Sequence, residues 1–395
     1  MHRIAAHYLY TLESYEPIVD GFVEYDDEGR ILRTGKSEDI RAEENYIDGI
    51  VMPGLVNAHC HLELSYLWKK FKKGTGMAGF IDQINEMRDN KTYEEKIEDI
   101  RFWMDKLWKQ GVSAMGDISN CADTFGIKAA SPMYTRTFLE VFGTEPEDCA
   151  DVMTGVNKLC EEAAEAGIDA APTPHSVYTM SPELLTASSA AGLASGFLSF
   201  HSEESQEEED MLKTGSGKMY ENRKNAGMST PPVTGTSSLL YFLDRLQKVH
   251  AAPFDENILL VHEVCMDREG MKAVKEVMRH PFIALCPMSN LFIHNALPPI
   301  QLMREEGMKL TIGTDSLSSN DDLDMVSELF CIQENFSDIP MGEMLAWASR
   351  NGAEFLGKED IYGSIEPGKK PGLVAIGHLD TRGRLTTASR SYRLV

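Results

Sequence analysis

Two histidines with one residue between them, His59 and His61, follow the apolar segment 51–56. Residues i and i+2 of a β-strand point to the same side of the sheet. Both imidazoles can therefore face one cavity at the carboxyl end of a strand, where they could chelate a divalent metal ion. The spacing predicts a metal site, although two histidines in a surface loop would give the same pattern by chance.

Three later apolar segments also end in a single side chain that can bind a metal or carry a proton. These side chains are His201, His262 and Asp315. One histidine after an apolar run is usually an ordinary core or surface residue. The repetition of the pattern at separate strand ends predicts instead that these side chains share one site with the histidine pair.

The elements that must position these side chains alternate between short apolar runs and helical patterns. The predicted strands are 50–56, 113–118, 134–142, 170–172, 197–200, 258–261, 282–285 and 310–312. The predicted helices between them include 93–110, 150–166, 237–249 and 268–279. Eight strands alternating with helices predict an α/β fold, a (β/α)8 TIM-like barrel whose strand ends share one catalytic face. A doubly wound sheet is the alternative, but it requires a Gly-rich phosphate turn that the chain lacks.

Short β segments stand at both ends of the chain. Near the amino terminus, segments 18–24 and 31–34 flank an acidic turn with a glycine, which predicts a β-hairpin. A turn followed by an apolar strand stands near the carboxyl terminus. We therefore expect residues 1–49 and 363–395 to form a small β-sandwich-like domain beside a barrel of residues 50–362.

Charge and cysteine usage argue against several classes of function. The 395 residues include 38 Lys and Arg against 62 Asp and Glu, a net charge of −24. So acidic a chain is a poor partner for nucleic acid or an anionic membrane, and we expect a small-molecule substrate instead. No apolar run approaches the ~18 residues of a membrane span. Seven scattered cysteines without a CxxC pair predict free thiols and a cytoplasmic location.

The sequence resembles the amidohydrolase superfamily. Within it, the similarity is to the metal-dependent branch of cytosine, guanine, adenosine and aminofutalosine deaminases and of chlorohydrolases. The resemblance extends from about residue 50 to about residue 376 and implies the same barrel fold. It depends on a combination of motifs, namely Pro53-Gly54-x-x-Asn57-x-His59-x-His61, His201-x-x-Glu204, His262 and Gly313-Thr314-Asp315-x-x-x-Ser319-Asn320.

The resemblance implies one catalytic metal ion. His59, His61, His201 and Asp315 match the ligands of a single divalent cation, which would be zinc or alternatively iron. Branches with two metals usually bridge them through a carboxylated lysine on the fourth strand. The third and fourth predicted strands contain no lysine, which favours a single cation.

The resemblance also implies which residues carry the chemistry. Three imidazoles and a carboxylate leave a coordination position open, and a cation there lowers the pKa of bound water from about 15.7 to ~7. Asp315 would take a proton from that water, and His262 would stabilise the developing charge. Glu204 would be the general acid/base that delivers protons to a ring nitrogen and to the leaving ammonia. Glu203, in the same acidic run, is the alternative acid.

Other residues have weaker signals. His175 matches a histidine that contacts substrate, or it bonds to its own loop. Arg136, inside an apolar strand, would meet an anion or hydroxyl of the substrate, or pair with Glu140. Ser319 would orient polar groups of the substrate, and Glu63 would either brace a ligand imidazole or lie at the surface. The turn after the seventh strand brings further polar residues near the site: Ser289, Asn290 and His294.

Together these observations predict a metal-dependent hydrolase of C–N bonds other than peptide bonds. The most specific expectation is an aminohydrolase that releases ammonia from a purine-like or other nitrogen-heterocycle substrate. The alternatives are a dechlorinating hydrolase, a hydrolase of cyclic amides or imidazolones, and a non-catalytic relative that only binds metal or ligand. A homodimer is expected by analogy with the family.

Overall fold

The computed structural model describes residues 1–40 and 43–395. The strands in these residues are β1 (His2–Leu9), β2 (Ile18–Tyr25), β3 (Ile31–Lys36), β4 (Tyr46–Pro53), β5 (Leu55–Cys60), β6 (Val112–Ser119), β7 (Tyr134–Val141), β8 (Asp169–Pro174), β9 (Phe197–Ser202), β10 (Phe254–His262), β11 (Met278–Leu285), β12 (Lys309–Ile312), β13 (Leu373–Gly377) and β14 (Arg390–Arg393).

The α-helices of the same residues mostly lie between the strands. They are α1 (Gly76–Met87), α2 (Tyr93–Lys109), α3 (Phe125–Ala130), α4 (Cys149–Glu165), α5 (Pro182–Ala194), α6 (Gln206–Thr214), α7 (Lys218–Asn225), α8 (Ser238–Leu246), α9 (Arg268–Val277), α10 (Pro287–His294), α11 (Ile300–Glu305), α12 (Met325–Asn335), α13 (Met341–Trp347) and α14 (Arg350–Phe355). None of these helices combines the length and apolar character that crossing a membrane requires. All seven cysteines are free, as expected.

Six strands from the two ends of the chain form one mixed sheet in the order β14-β13-β4-β1-β2-β3. Strands β1 and β4 are parallel, and the other neighbours are antiparallel. The predicted hairpin is confirmed as β2 and β3. The predicted sandwich is corrected to a single sheet, because β4 pairs with β1 along one edge and with β13 along the other, which joins all six strands edge to edge.

The predicted strand 50–56 is in fact two strands separated by Gly54. Strand β4 belongs to the six-stranded sheet, and β5 begins directly after Gly54 in a different sheet. A Cβ at position 54 would lie 2.0 Å from Oγ of Ser113 and 2.5 Å from the carbonyl oxygen of Pro371. Only glycine therefore lets the chain pass between these neighbours. The first strand of the parallel sheets accordingly starts at Leu55, and residues 50–53 lie in the mixed sheet.

The seven other predicted strands coincide with β6 to β12 and are confirmed. Strands β5 to β8 form one parallel four-stranded sheet, and β9 to β12 form another. Hydrogen bonds connect the two sheets at both edges. The Thr173 hydroxyl lies 2.6 Å from the carbonyl oxygen of Ser199, and the Thr314 N–H donates to the carbonyl oxygen of His59 at 3.0 Å. The carboxyl ends of all eight strands therefore lie on the same side.

Apolar side chains fill the space between the two parallel sheets at their amino ends. Phe355 of α14 is buried there, with its ring centroid 5.8 Å from that of Phe138 and 5.6 Å from that of Phe282. Small and branched side chains from β5 and β6, such as Val56 and Ala114, belong to the same cluster. This core closes one end of the strands and leaves the polar residues at the other.

Candidate metal centre and active site

The candidate site lies at the carboxyl ends of four parallel strands. His59 is the penultimate residue of β5, and His61 follows that strand. His201 lies near the end of β9, His262 is the last residue of β10, and Asp315 follows β12. Because these strand ends lie on one face, side chains that are far apart in the sequence come together.

The imidazoles of His59, His61 and His201 meet at their Nε2 atoms. Nε2 of His61 lies 3.2 Å from Nε2 of His59 and 3.4 Å from Nε2 of His201. Oδ1 of Asp315 lies 3.5 Å from Nε2 of His61 and 3.7 Å from Nε2 of His59. All four side chains are buried. Three of the predicted metal ligands, His59, His61 and His201, therefore converge on a common centre, and Asp315 lies beside two of them, His59 and His61.

This donor set fits a divalent cation. Zinc–imidazole bonds of about 2.0–2.1 Å in a tetrahedral site place neighbouring ligand atoms roughly 3.3 Å apart. The two Nε2 separations of 3.2 and 3.4 Å match that spacing. The nitrogen of a neutral imidazole either donates one hydrogen bond or accepts one, so three converging nitrogens cannot all be satisfied by one another. Their arrangement is that of ligands.

Burial also keeps the imidazoles in the neutral form that ligation requires. Together with the neighbouring His59, burial lowers the pKa of His61 to about 3. Burial likewise holds the pKa of His201 well below its ordinary value and lowers the pKa of His175 to about 4. Their lone pairs are therefore not protonated at neutral pH.

Two serine hydroxyls hold Asp315 in place. The hydroxyls of Ser289 and Ser319 donate to Oδ2 at 2.6 and 2.7 Å. Although burial alone would raise it, the pKa of Asp315 is well below its ordinary value, because the neighbouring imidazoles favour the carboxylate. Ser319 is fully buried beneath this carboxylate. The structure shows its contact with Asp315, and contact between Ser319 and a substrate stays a prediction.

Residues at the site have strained backbone conformations. Asp315 has a φ of 55°, His262 a φ of 78° and Glu263 a φ of 51°. These values lie in the left-handed region that favours glycine, and each costs roughly 1–3 kcal/mol. The surrounding structure must compensate for that cost. The strain occurs where a strand ends and its last side chain turns toward the shared centre.

Glu204 is flanked by two histidines. Its Oε1 lies 3.6 Å from Nε2 of His262 and 3.9 Å from Nε2 of His294. Burial would raise the pKa of Glu204, but the nearby imidazoles of His262 and His294 favour the carboxylate and lower the pKa. The Nδ2 atom of Asn290 lies 3.1 Å from Nδ1 of His262. Glu204 is therefore an ionised carboxylate that can accept a proton within the site.

Glu203 is turned away from the metal ligands. Its backbone N–H donates to the hydroxyl of Ser238 at 3.3 Å. Burial, together with the nearby charge of Glu209, raises the pKa of Glu203 to about 7. Of the two candidate acids, the structure brings Glu204 to His262 and leaves Glu203 near α8.

His175 lies beside the ligand cluster. Its ring centroid is 4.7 Å from that of His201. Its Nδ1 lies 2.8 Å from the hydroxyls of both Ser176 and Thr179, so the loop orients the ring. The side chain is 20% exposed, which is more than any of the metal ligands. Contact between His175 and a substrate stays a prediction that this position permits.

Arg136 is not in the site, and its predicted contact with substrate is wrong. It lies near the amino end of β7, where its guanidinium donates to Oδ1 of Asp169 at 2.7 Å and to the hydroxyl of Ser195 at 2.8 Å. It also stacks over the ring of Phe197 at 4.1 Å. The alternative pairing with Glu140 is wrong as well. A buried guanidinium needs a carboxylate, and Asp169 supplies it at the opposite end of the strands.

Glu140 also lies in the site, a position that the sequence did not predict. Its Oε1 lies 3.3 Å from Nδ1 of His201. The available signal was a carboxylate near the end of the apolar strand β7, the same signal that identified Asp315. Glu63, expected to brace a ligand imidazole or to lie at the surface, is buried and accepts the backbone N–H of Asn120 at 2.9 Å.

The sequence also matches a known family over most of its length. Residues 50–389 match the family model described as the amidohydrolase family. The chain belongs to this family. The expected class, a hydrolase acting on C–N bonds other than peptide bonds, is confirmed.

Individual relatives and solved structures are similar over most of the chain. A 5-methylthioadenosine/S-adenosylhomocysteine deaminase of Moorella thermoacetica is 26% identical over 346 residues, which are 83% of this chain and 73% of the relative. Aminofutalosine deaminase of Helicobacter pylori, solved with methylthio-coformycin, has a TM-score of 0.79 at 20% identity, covering 100% of both chains. An atrazine chlorohydrolase of Arthrobacter aurescens, solved with zinc, has a TM-score of 0.70 at 20% identity, covering 95% of this chain and 86% of its own. These structures have the same fold as this chain.

Proposed function

We propose that this protein is a metal-dependent aminohydrolase that removes the amino group of an adenine-type nucleoside as ammonia. The observation that carries the proposal is the position of Glu204, an ionised carboxylate 3.6 Å from His262 beside a cluster of three histidines and Asp315. The similarity to deaminases of adenine nucleosides supports this class of substrate.

The proposed ligands of one divalent cation are His59, His61, His201 and Asp315. When bound, the cation supplies a nucleophile at neutral pH by lowering the pKa of water from about 15.7 to ~7. Imidazole and carboxylate ligands suit both zinc and iron. Zinc is the proposed cation, because the Nε2 separations fit zinc–imidazole bonds of the usual length and a chlorohydrolase of the same fold was solved with zinc.

The chain's own residues move the protons. Asp315 accepts a proton from the attacking water. His262 receives a hydrogen bond from Asn290 at Nδ1, so its own proton is on Nε2, where it stabilises the oxygen that becomes negative. Glu204 is ionised at the start and relays the protons that the water loses: one goes to the ring nitrogen, and the other, first taken up by Asp315, goes to the departing amine. A C–O bond forms, the C–N bond breaks, and both protons of water end on the ring nitrogen and on ammonia.

Three other reactions or roles would use the same residues. Hydrolysis of a C–Cl bond is the second candidate, supported by the shared fold with atrazine chlorohydrolase. Chloride leaves without a proton, whereas an amine needs one, and the carboxylate of Glu204 between two histidines is suited to supplying it. Hydrolysis of a cyclic amide or imidazolone, or simple binding of a metal or ligand, are the remaining alternatives.

A substrate panel tests the proposal. The zinc-loaded protein is incubated with 5-methylthioadenosine, S-adenosylhomocysteine, adenosine, 5'-deoxyadenosine and atrazine, and ammonia and chloride are both measured. We expect ammonia from at least one nucleoside, its loss after chelation and its return with added zinc. Chloride release from atrazine without ammonia from any nucleoside would support the second candidate. No turnover at full zinc occupancy would contradict catalysis and support a binding role.

Three further features are part of the proposal. The hydrogen bonds at both edges support closure of the two parallel sheets into a (β/α)8 barrel, with residues 1–53, four more than the predicted 1–49, and residues 363–395 contributing a smaller β domain. The free cysteines support a cytoplasmic location. A homodimer remains a prediction, which light scattering of the purified protein would test.

A further inference from the structure

Glu140 is a buried carboxylate to which the proposed reaction gives no role. It is 7% exposed and lies near the carboxyl end of β7, beside the metal ligands. Its Oε1 is buried and has no hydrogen-bond partner among the described residues. A buried polar atom without a partner costs about 1–3 kcal/mol, so a buried acceptor of this kind is expected to have a donor in the working enzyme.

Asn120 holds the rest of this residue in place. Its Nδ2 donates to the backbone carbonyl oxygen of Glu140 at 2.8 Å and to Oε2 at 3.3 Å. The backbone N–H of Asn120 in turn donates to Oε2 of Glu63 at 2.9 Å. Because Asn120 occupies Oε2, the free oxygen of Glu140 is Oε1, and Oε1 is the atom that lies 3.3 Å from Nδ1 of His201.

The ring of His201 has one nitrogen facing the ligand cluster and the other facing Glu140. Its Nε2 faces His61 at 3.4 Å and belongs to the ligand cluster. A neutral imidazole that ligates through Nε2 carries its proton on Nδ1, and that N–H needs an acceptor. The nearby acceptor is Oε1 of Glu140, which is otherwise unpartnered.

We propose that Glu140 is a positioning residue for the metal site. Its Oε1 accepts a hydrogen bond from Nδ1–H of His201, which holds the imidazole in the tautomer that presents Nε2 to the cation. This hydrogen bond also makes Nε2 a stronger donor to the metal. This inference depends on the proposed metal site, and it assigns a role to a residue that touches neither the cation nor the substrate.

A different arrangement of the same atoms has to be distinguished. Glu140, His175 and His201 each offer one ligand atom, and these atoms lie within 4.8 Å of one another, so they could in principle hold a second cation. His201 would then have to bind a cation through each ring nitrogen, which requires loss of its last N–H proton. A hydrogen bond leaves that proton in place, and the site then contains one metal ion.

The experiment measures metal affinity, which is independent of turnover. The full chain, Glu140→Ala and Glu140→Gln are prepared without metal, and circular dichroism verifies folding. Zinc affinity is then measured by competition with a chromogenic chelator. We expect Glu140→Ala to bind zinc about 10–100-fold more weakly. Glu140→Gln keeps an acceptor oxygen without the charge and should fall between Glu140→Ala and the natural chain. Glu147→Ala, at an exposed position, is the control.

Two outcomes would overturn the inference. If both Glu140 variants bind zinc as tightly as the natural chain does, the contact between Glu140 and His201 does not support metal binding. Two zinc ions in the natural chain and one in Glu140→Ala would assign Glu140 to a second cation. If the natural chain binds zinc and the Glu140 series behaves as expected while no nucleoside is deaminated, the proposed function fails and the role of Glu140 stands. Cobalt substitution gives a second readout, because a misoriented imidazole changes the visible spectrum of the bound ion.

Discussion

The side-chain amide of Asn290 lies 3.1 Å from Nδ1 of His262, while Nε2 of the same ring lies 3.6 Å from Glu204. An amide N–H can only donate, so Nδ1 of His262 accepts and its proton is on Nε2. Burial lowers the pKa of His262, which keeps the ring neutral. Asn290 thus determines which ring nitrogen of His262 offers a hydrogen-bond donor to the site.

Changing Asn290 to aspartate should move the proton of His262 from Nε2 to Nδ1. A carboxylate accepts a hydrogen bond from Nδ1, and the neutral ring then has no proton on Nε2. We expect Asn290→Asp to lower kcat about 10–100-fold, the size of effect typical for partners that orient a catalytic imidazole. KM should change less, because His262 acts on the developing charge. Steady-state kinetics would measure both constants, with the exposed Asn157→Asp as control. Unchanged kcat in Asn290→Asp would remove the tautomer of His262 from the mechanism.

Two adjacent glutamates provide a matched pair for the general acid/base. Glu204→Gln should lower kcat about 10²–10⁴-fold, the usual contribution of a general acid/base, because an amide cannot carry the proton. Glu203→Gln should keep kcat close to that of the natural chain, since Glu203 lies near α8. Ammonia release by both variants at equal zinc content would be compared. The reverse order of effects would assign the acid to Glu203.

Asp315 is expected to be indispensable. Asp315→Asn removes the proton acceptor while keeping the shape of the side chain, and we expect kcat to fall about 10²–10⁴-fold with the fold intact. Ser319→Ala removes one of the two hydroxyls that hold Oδ2 of Asp315 and should lower kcat about 10–100-fold. Circular dichroism and metal analysis would accompany the kinetics. Near-normal turnover in a folded, metal-loaded Asp315→Asn would exclude this aspartate from the proton transfers.

The positions of the functional side chains could be predicted because each follows a strand with a distinct apolar run. The segments 197–200, 258–261 and 310–312 are mostly apolar and come shortly before His201, His262 and Asp315, so these three side chains stand out. A parallel arrangement then places all such ends on one face. No pairwise contact had to be known for this part of the prediction.

The parts that could not be predicted depend on contacts between distant segments. The apolar run 50–56 continues across two strands of different sheets, and only the collision of a Cβ with Ser113 and Pro371 explains the break at Gly54. The partner of Arg136 follows from the register of β7 against β8, in which Arg136 is opposite Asp169. Hydrophobic periodicity carries no information about such register.

A buried acidic cluster behind the site should make stability depend on pH. Glu263 is fully buried, and the carboxyl groups of Glu203, Glu208 and Glu209 lie close to it. Burial, and then the charge of Glu203, raises the pKa of Glu263 well above its ordinary value. In the unfolded chain this pKa returns to about 4.3. The folded state thus holds a proton that the unfolded state has released, so the contribution of Glu263 to stability is present at low pH and is lost as pH rises through the folded pKa.

Replacing Glu263 by glutamine should remove the loss of stability at high pH, because glutamine does not ionise. We expect Glu263→Gln to match the natural chain in free energy of unfolding near pH 5 and to exceed it increasingly toward pH 8, by at most about 1.4 kcal/mol per pH unit. Urea denaturation at both pH values, in excess zinc, would measure the difference. Glu269→Gln, at an exposed position on α9, should show no such trend. A constant difference between Glu263→Gln and the natural chain at both pH values would mean that Glu263 does not titrate differently in the folded and unfolded states.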